Sequence, residues 1–237
     1  MLEIVDVDKT KEIIDNSVID YLSVHLYSKN KEQTEEETYE IVKQNISELK
    51  RKLGKEIILE NSPYRNRYSH CEFLFNPDVI SKIVRENNVG FLFDISHARK
   101  SAEHFGMTLE EYVSKLPMER LVEIHLAGMY YIPNPETDNV SMYSERQIDF
   151  IKQLREMYGS TYDNHGKLNE EDYEFLKEAV KKYNTLRNVT LEYGSCHLKF
   201  DFEDNEYTYP VCSFDRINPI AKKEVLEQLM RIKDIIS

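Results

Sequence analysis

The sequence predicts one α/β domain over 1–237, a TIM-barrel-like (β/α) barrel with fewer or less regular strands at its N-terminal end. Three observations predict it. Strand and helix patterns alternate with short connections, as in βαβ units that build a parallel sheet. Five apolar runs end in an imidazole or a carboxylate: Leu22-Ser23-Val24-His25, Ile57-Ile58-Leu59-Glu60, Phe91-Leu92-Phe93-Asp94, Val122-Glu123-Ile124-His125 and Val189-Thr190-Leu191-Glu192. Polar groups at the C-terminal ends of strands line the mouth of such a barrel. The rival, an open doubly wound sheet, normally carries a glycine-rich phosphate turn after its first strand, and this chain has no such turn and only 7 glycines.

Leu2 to Val7 reads as a short strand, Lys9 to Asn16 as a helical turn and Tyr21 to Leu26 as a strand, followed by a polar loop from Ser28 to Gln33. Thr34-Glu35-Glu36-Glu37 is a capping box opening a long helix whose stripe is Ile41, Val42, Ile46, Leu49 and Leu53. Gly54 stops that helix, and the strand at Ile57 follows. Asn61 to Phe75 reads as irregular. Asn76-Pro77 is an N-cap with proline at the first helical position, and Val79, Ile80, Ile83 and Val84 form the apolar face. Gly90 leads into the strand ending at Asp94, and Ser96 to Phe105 reads as helix. Thr108-Leu109-Glu110-Glu111 opens another helix, closed by Pro117 before the strand Leu121 to Leu126. Met129 to Tyr143 reads as a long loop, Glu145 to Tyr158 as an amphipathic helix stopped by Gly159, and Thr161 to Gly166 as a short polar loop. Asn169 caps a helix to Tyr183, the strand Val189 to Glu192 follows, Ser195 to Phe214 carries no clear pattern, and Asn218-Pro219 opens a last helix to Ile236.

A length of 237 residues and a hydrophobic fraction of 41% are enough for a real core. The net charge of −12 argues against nucleic acid and against an anionic membrane surface. No apolar run approaches the roughly 20 residues that span a bilayer, and the N-terminus lacks the basic and apolar regions of a signal peptide. The 3 cysteines, Cys71, Cys196 and Cys212, are scattered, so no disulfide framework is expected and a cytoplasmic location is the simplest.

The candidate ligands are His25, Glu60, Asp94, His97, His125, Asp163, His165 and Glu192. Singly, each has a plainer reading. His25 on a strand fits a hydrogen-bonded core residue. Glu60 and Glu192 fit an ion pair as well as a metal, because a buried carboxylate must be paired, protonated or metal-bound. Asp94 fits a helix N-cap, with His97 three residues on facing the same way. Asp163-Asn164-His165-Gly166 fits a solvated turn. As a set they say more: chance does not place this many imidazoles and carboxylates at strand ends. Donors of this kind without thiolate suit Fe, Mn or Zn, and so many of them exceed what one ion needs. His70 and His104 read as surface residues, and His197 is left open.

Together, Leu22-Ser23-Val24-His25-Leu26, Leu59-Glu60-Asn61, Phe93-Asp94-Ile95-Ser96-His97, Glu123-Ile124-His125-Leu126-Ala127-Gly128, Asp163-Asn164-His165-Gly166 and Leu191-Glu192 resemble, in order, the motifs of the multinuclear non-haem iron-dependent oxidative enzymes, the family of the methanobactin-biosynthesis iron oxidase. The resemblance covers roughly 20 to 195. It implies a TIM-barrel-like fold, two or three irons, and use of O₂ to modify a residue, cysteine foremost, of a ribosomally made peptide, with or without a partner protein that delivers the peptide. It also implies that Glu60 bridges two irons, that His25 sits on one and Asp94 and Glu192 on another, and that His97, His125, Asp163 and His165 complete the cluster. The family usually has an earlier strand with a further histidine ligand, whereas 1–20 of this chain contains no histidine.

Two other classes fit parts of the pattern. A divalent-metal (Zn or Mn) isomerase or phosphodiesterase similar to xylose isomerase or endonuclease IV also places Glu, Asp and His at barrel strand ends. A non-catalytic barrel serving as a scaffold predicts no metal, and it leaves a costly burial of charge without a purpose.

Overall fold

The computed structural model describes residues 7–26, 31–64, 66–193 and 219–237. Apart from Val7, the strand expected at Leu2–Val7 lies outside these residues, as do Ser195–Phe214, Asn218, His197 and part of the Ser28–Gln33 loop. The described residues group into two compact units, one lying within 1–125 and 183–190 and the other within 126–182 and 191–237.

In the first unit, α1 (Val7–Asp15) precedes β1 (Tyr21–His25). Helix α2 (Glu35–Leu53) begins at the predicted box: Thr34 accepts from the Glu37 amide while Glu37 accepts from the Thr34 amide. It ends at Gly54, whose φ of 63° is the left-handed cap. Then come β2 (Glu56–Glu60), α3 (Pro77–Glu86) capped by Asn76, β3 (Gly90–Asp94), α4 (Ile95–His104), α5 (Leu109–Lys115) with its own capping box, and β4 (Leu121–Leu126). One difference from expectation is a 3₁₀ helix over Asn66–Phe75, where the sequence reads as irregular; it lacks an amphipathic stripe, so periodicity does not reveal it.

Strands β1, β2, β3 and β4 pair in that order and in parallel, and β7 (Asn188–Leu191) joins beyond β4, where the Arg187 amide donates to Val122 O. Ile57, Ile58, Leu59, Phe91, Leu92, Phe93 and Ile124 are all buried, so successive residues on both faces are covered, as parallel sheets require. Val42, Ile46, Leu49 and Leu53 of α2 and Ile80, Ile83 and Val84 of α3 are buried as well. Each such side chain stabilises by about 1.5–3 kcal/mol.

The second unit holds a two-stranded antiparallel sheet that the sequence reading missed. Gly128–Tyr131 (β5) pairs with Thr161–Gly166 (β6), where loops are expected. The partners lie some thirty residues apart with helix α6 (Glu145–Tyr158) between them, and a polar Asp-Asn-His-Gly end hides the strand pattern of β6. Ile132, Ile151 and Leu154 form the small core here, with Tyr130, Tyr143, Phe150, Tyr158 and Tyr162 packed around it. Gly128 is forced by contact: a Cβ there would lie 2.1 Å from Lys167 O. Helix α7 (Glu170–Lys182) starts at Asn169, whose side chain accepts from the Asp172 amide, and lies against α8 (Pro219–Ile236) through an Arg231–Glu170 ion pair and the Leu168 amide donating to buried Gln228. Among the described residues no helix is long and apolar enough to cross a membrane.

Candidate metal centre

Strand register assembles the first group of predicted ligands. His25 is the partner of Glu60 across β1 and β2, and Asp94 is the partner of His125 across β3 and β4. Glu60 itself pairs with Leu92, one ridge below Asp94, the stagger expected where a sheet curls toward closure. The result is convergence on Glu60, whose side chain is 6% exposed. Its Oε2 lies 3.3 Å from His25 Nε2, and its Oε1 lies 3.2 Å from His97 Nδ1 and 4.0 Å from His125 Nδ1. Ligand atoms of His25, Glu60 and His97 all lie within 4.8 Å of one another, and so do those of Glu60, Asp94 and His125. Two donors on one ion, each about 2.0–2.2 Å away, stand about 3–4 Å apart. Both groups therefore fit a cation with little movement, and they share Glu60.

Asp94 is the N-cap of α4, as its plain reading has it. Its Oδ1 accepts from the His97 amide and from Ser96 Oγ, which caps α4. This cap is what swings His97 back beside the strand end. The carboxylate is fully buried. Asn61 holds the arrangement from just beyond the end of β2. Its amide Nδ2 donates to Asp94 O, its Oδ1 accepts from the Asp94 amide, both at 2.8 Å, and its carbonyl lies 2.8 Å from His97 Nδ1. His25 is the most open member, 45% exposed, with Nδ1 3.2 Å from Ser62 Oγ.

Sequence reasoning named neither Asn61 nor Glu123 as a site residue. Glu123 lies two before His125 and so on the same side of β4. An acidic residue inside an apolar strand was the available signal. Its Oε1 lies 3.3 Å from His125 Nε2 and accepts from Thr190 Oγ1 at 2.5 Å; its Oε2 accepts from Tyr21 Oη at 2.6 Å. Burial works to raise the Glu123 carboxyl, but the hydrogen bonds from His125, Thr190 and Tyr21 outweigh it and hold it at about 2. Burial, helped by the bond to Glu123, pushes the Tyr21 phenol up to about 12.

The other predicted ligands lie in the second unit and form a carboxylate–imidazole–carboxylate set. His165 Nε2 is 3.7 Å from Asp163 Oδ2, and His165 Nδ1 is 3.4 Å from Glu192 Oε2. A bulge delivers the histidine: Gly128 pairs with Gly166 but Met129 pairs with Asp163, so two extra residues bow out of β6. His165 takes φ 50°, the left-handed region, directly before Gly166. Glu192 follows β7 and its amide donates to Leu126 O.

Comparison with known proteins now decides the family. The sequence model of the RiPP precursor modification enzymes MbnB/TglH/ChrH matches residues 6–199. The chain belongs to that family. The expected family resemblance is thereby borne out. Curated relatives of this MbnB/TglH/ChrH-family chain include a UPF0276 protein of Caulobacter sp. (strain K31), 35% identical over 88 residues, which are 37% of this chain and 31% of that protein. A UPF0276 protein of Psychromonas ingrahamii is 26% identical over 109 residues, 46% of this chain and 37% of that one. In these alignments the chain spans about a third of the relatives' length. Among solved structures, a xylose isomerase domain containing protein from Salmonella typhimurium LT2 superposes with a TM-score of 0.50 at 15% identity, covering 97% of this chain and 69% of that one. That likeness concerns the fold, and it bears out the TIM-barrel-like α/β class.

Proposed function

We propose that this member of the RiPP precursor modification family is a multinuclear iron-dependent oxidase that uses O₂ to modify a residue, cysteine foremost, of a ribosomally made peptide. The observation that carries the reading is Glu60: one buried carboxylate belongs to two separate ligand groups, His25–Glu60–His97 and Glu60–Asp94–His125. One ion would leave part of the two groups unused, whereas two ions sharing Glu60 would use both. The donors are imidazole and carboxylate, which suit iron, and the peptide substrate follows the family description. Iron held by these residues would supply redox chemistry and Lewis acidity toward O₂ and a thiol.

In this reading His25, Glu60, Asp94, His97 and His125 hold metal in the first unit, and Asp163, His165 and Glu192 are ligands within the second. Asn61 fixes Asp94 and His97. The exposed side of His25 is where the group is open to a substrate.

Elemental analysis of protein purified without oxygen or added metal, followed by Mössbauer spectroscopy, tests the proposal. Two or more coupled irons per chain are expected, lost in Glu60→Ala. One zinc or manganese with little iron would overturn it in favour of a divalent-metal isomerase or phosphodiesterase, and no metal at all would leave a scaffold.

A further inference from the structure

We propose that Glu123 is the positioning residue for His125: it takes the Nε2 hydrogen of the imidazole and so leaves Nδ1, with its lone pair, as the atom that faces Glu60. This rests on the metal reading above and adds to it a named ligand atom and a residue outside the ligand set.

An ionised carboxylate only accepts, so each group meeting it must bring a hydrogen. Thr190 Oγ1 and Tyr21 Oη do so on Oε1 and Oε2, and His125 Nε2 stands 3.3 Å from Oε1. A neutral imidazole with its hydrogen on Nε2 presents a bare lone pair at Nδ1. That nitrogen lies 4.0 Å from Glu60 Oε1. The distance is too long for a hydrogen bond, and it falls within the spacing of two donors on one cation, about 3–4 Å. A carboxylate behind a histidine fixes the tautomer and the ring orientation, and it raises the basicity of the ligating nitrogen.

Glu123 is itself held. Tyr21 accepts a hydrogen bond from Asn188 and lies under the Arg187 guanidinium, 5.3 Å from the ring centre, while Arg187 pairs with Glu56 at 2.6 Å. Tyr21 and Glu56 are register partners at the first positions of β1 and β2. A polar chain therefore runs from the starts of the strands up the sheet to His125. A carboxylate pinned by two hydroxyls cannot rotate to release the ring, a rigidity that a lone aspartate or water behind the histidine lacks.

Histidine-selective ¹⁵N labelling of the metal-free full chain reads the tautomer, with His125→Ala assigning the resonance, and anaerobic titration with Fe(II) alone reads affinity. The expected result is an Nε2–H tautomer in the wild type. In Glu123→Gln the amide can turn its NH₂ toward the ring, so the tautomer becomes mixed. Fe(II) affinity then falls about 10–100-fold, the usual effect of losing such a partner, with the thermal unfolding of the metal-free protein nearly unchanged. Tyr21→Phe, which removes one clamp and keeps the carboxylate, gives a smaller loss and serves if Glu123→Gln does not fold. An Nδ1–H tautomer in the wild type overturns the proposal. So does unchanged affinity in Glu123→Gln when His125→Ala loses iron, and there the metal reading survives. Full iron binding by His125→Ala instead removes the metal reading and the proposal with it.

Discussion

Two sets of imidazoles and carboxylates in this chain are built by opposite devices. Apart from His97, which the Asp94 cap of α4 brings in, the Glu60 set stands on successive strands of one parallel sheet, where register brings His25 to Glu60 and Asp94 to His125. The Asp163–His165–Glu192 set depends on a bulge in a two-stranded sheet and on a histidine in the left-handed region, 40% exposed against 6% for Glu60. Side chains fixed by a sheet's hydrogen-bond ladder are placed more precisely than those on bends and loops. A non-glycine left-handed residue also costs about 1–2 kcal/mol, which its surroundings must offset. The comparison teaches that ligand type says little about rigidity: the backbone device decides it.

The sharpest way to break the contrast is to remove one member of each set and measure Fe(II) binding. Glu60→Ala should lower affinity by more than about 100-fold, beyond the 10–100-fold loss seen for mere supporting residues, whereas His165→Ala should cost about 10-fold. Equal losses in both would erase the distinction. Next, Asn61→Ala strips partners from the buried amide and carbonyl of Asp94, each worth about 1–3 kcal/mol, so thermal unfolding should drop clearly and bound iron with it. A full iron load in a folded Asn61→Ala protein would show that register suffices without the clamp.

Gly128→Ala attacks the bulged side. The new Cβ meets backbone at Lys167, so the β5–β6 pair must shift, at about 1–3 kcal/mol by calorimetry. The smallest effect is a surface control. The Glu119 carboxyl is held below its ordinary 4.5 by the hydrogen bond from Arg85. Its folded value is depressed, so its contribution is present above pH 4.5 and fades as pH falls below that. The pair is half exposed, so Glu119→Gln should cost no more than about 1 kcal/mol at pH 7 in urea unfolding, and nothing in strong acid.

Much of this was legible in the residues. The capping boxes at Thr34 and Thr108 and the strand ending at Glu60 follow from local chemistry, because caps and apolar runs act over a few neighbouring positions. Repetition of strand ends bearing His, Glu or Asp also pointed to the barrel class and to the family. The β5–β6 pairing was not legible: it joins residues about thirty apart, and β6 reads as a polar turn until its partner is known. Asn61 and Glu123 escaped for the same reason, since each acts through a partner on another strand.

The sequence alone thus determined the helices with clear caps, the parallel strands and the kind of donor at each of those strand ends, for period, capping and residue type are properties of short segments. Only the tertiary structure decided which donors meet, that Glu60 is shared by two groups, and that His125 has a carboxylate at its back, for these depend on strand register, and register is settled by packing across the whole sheet.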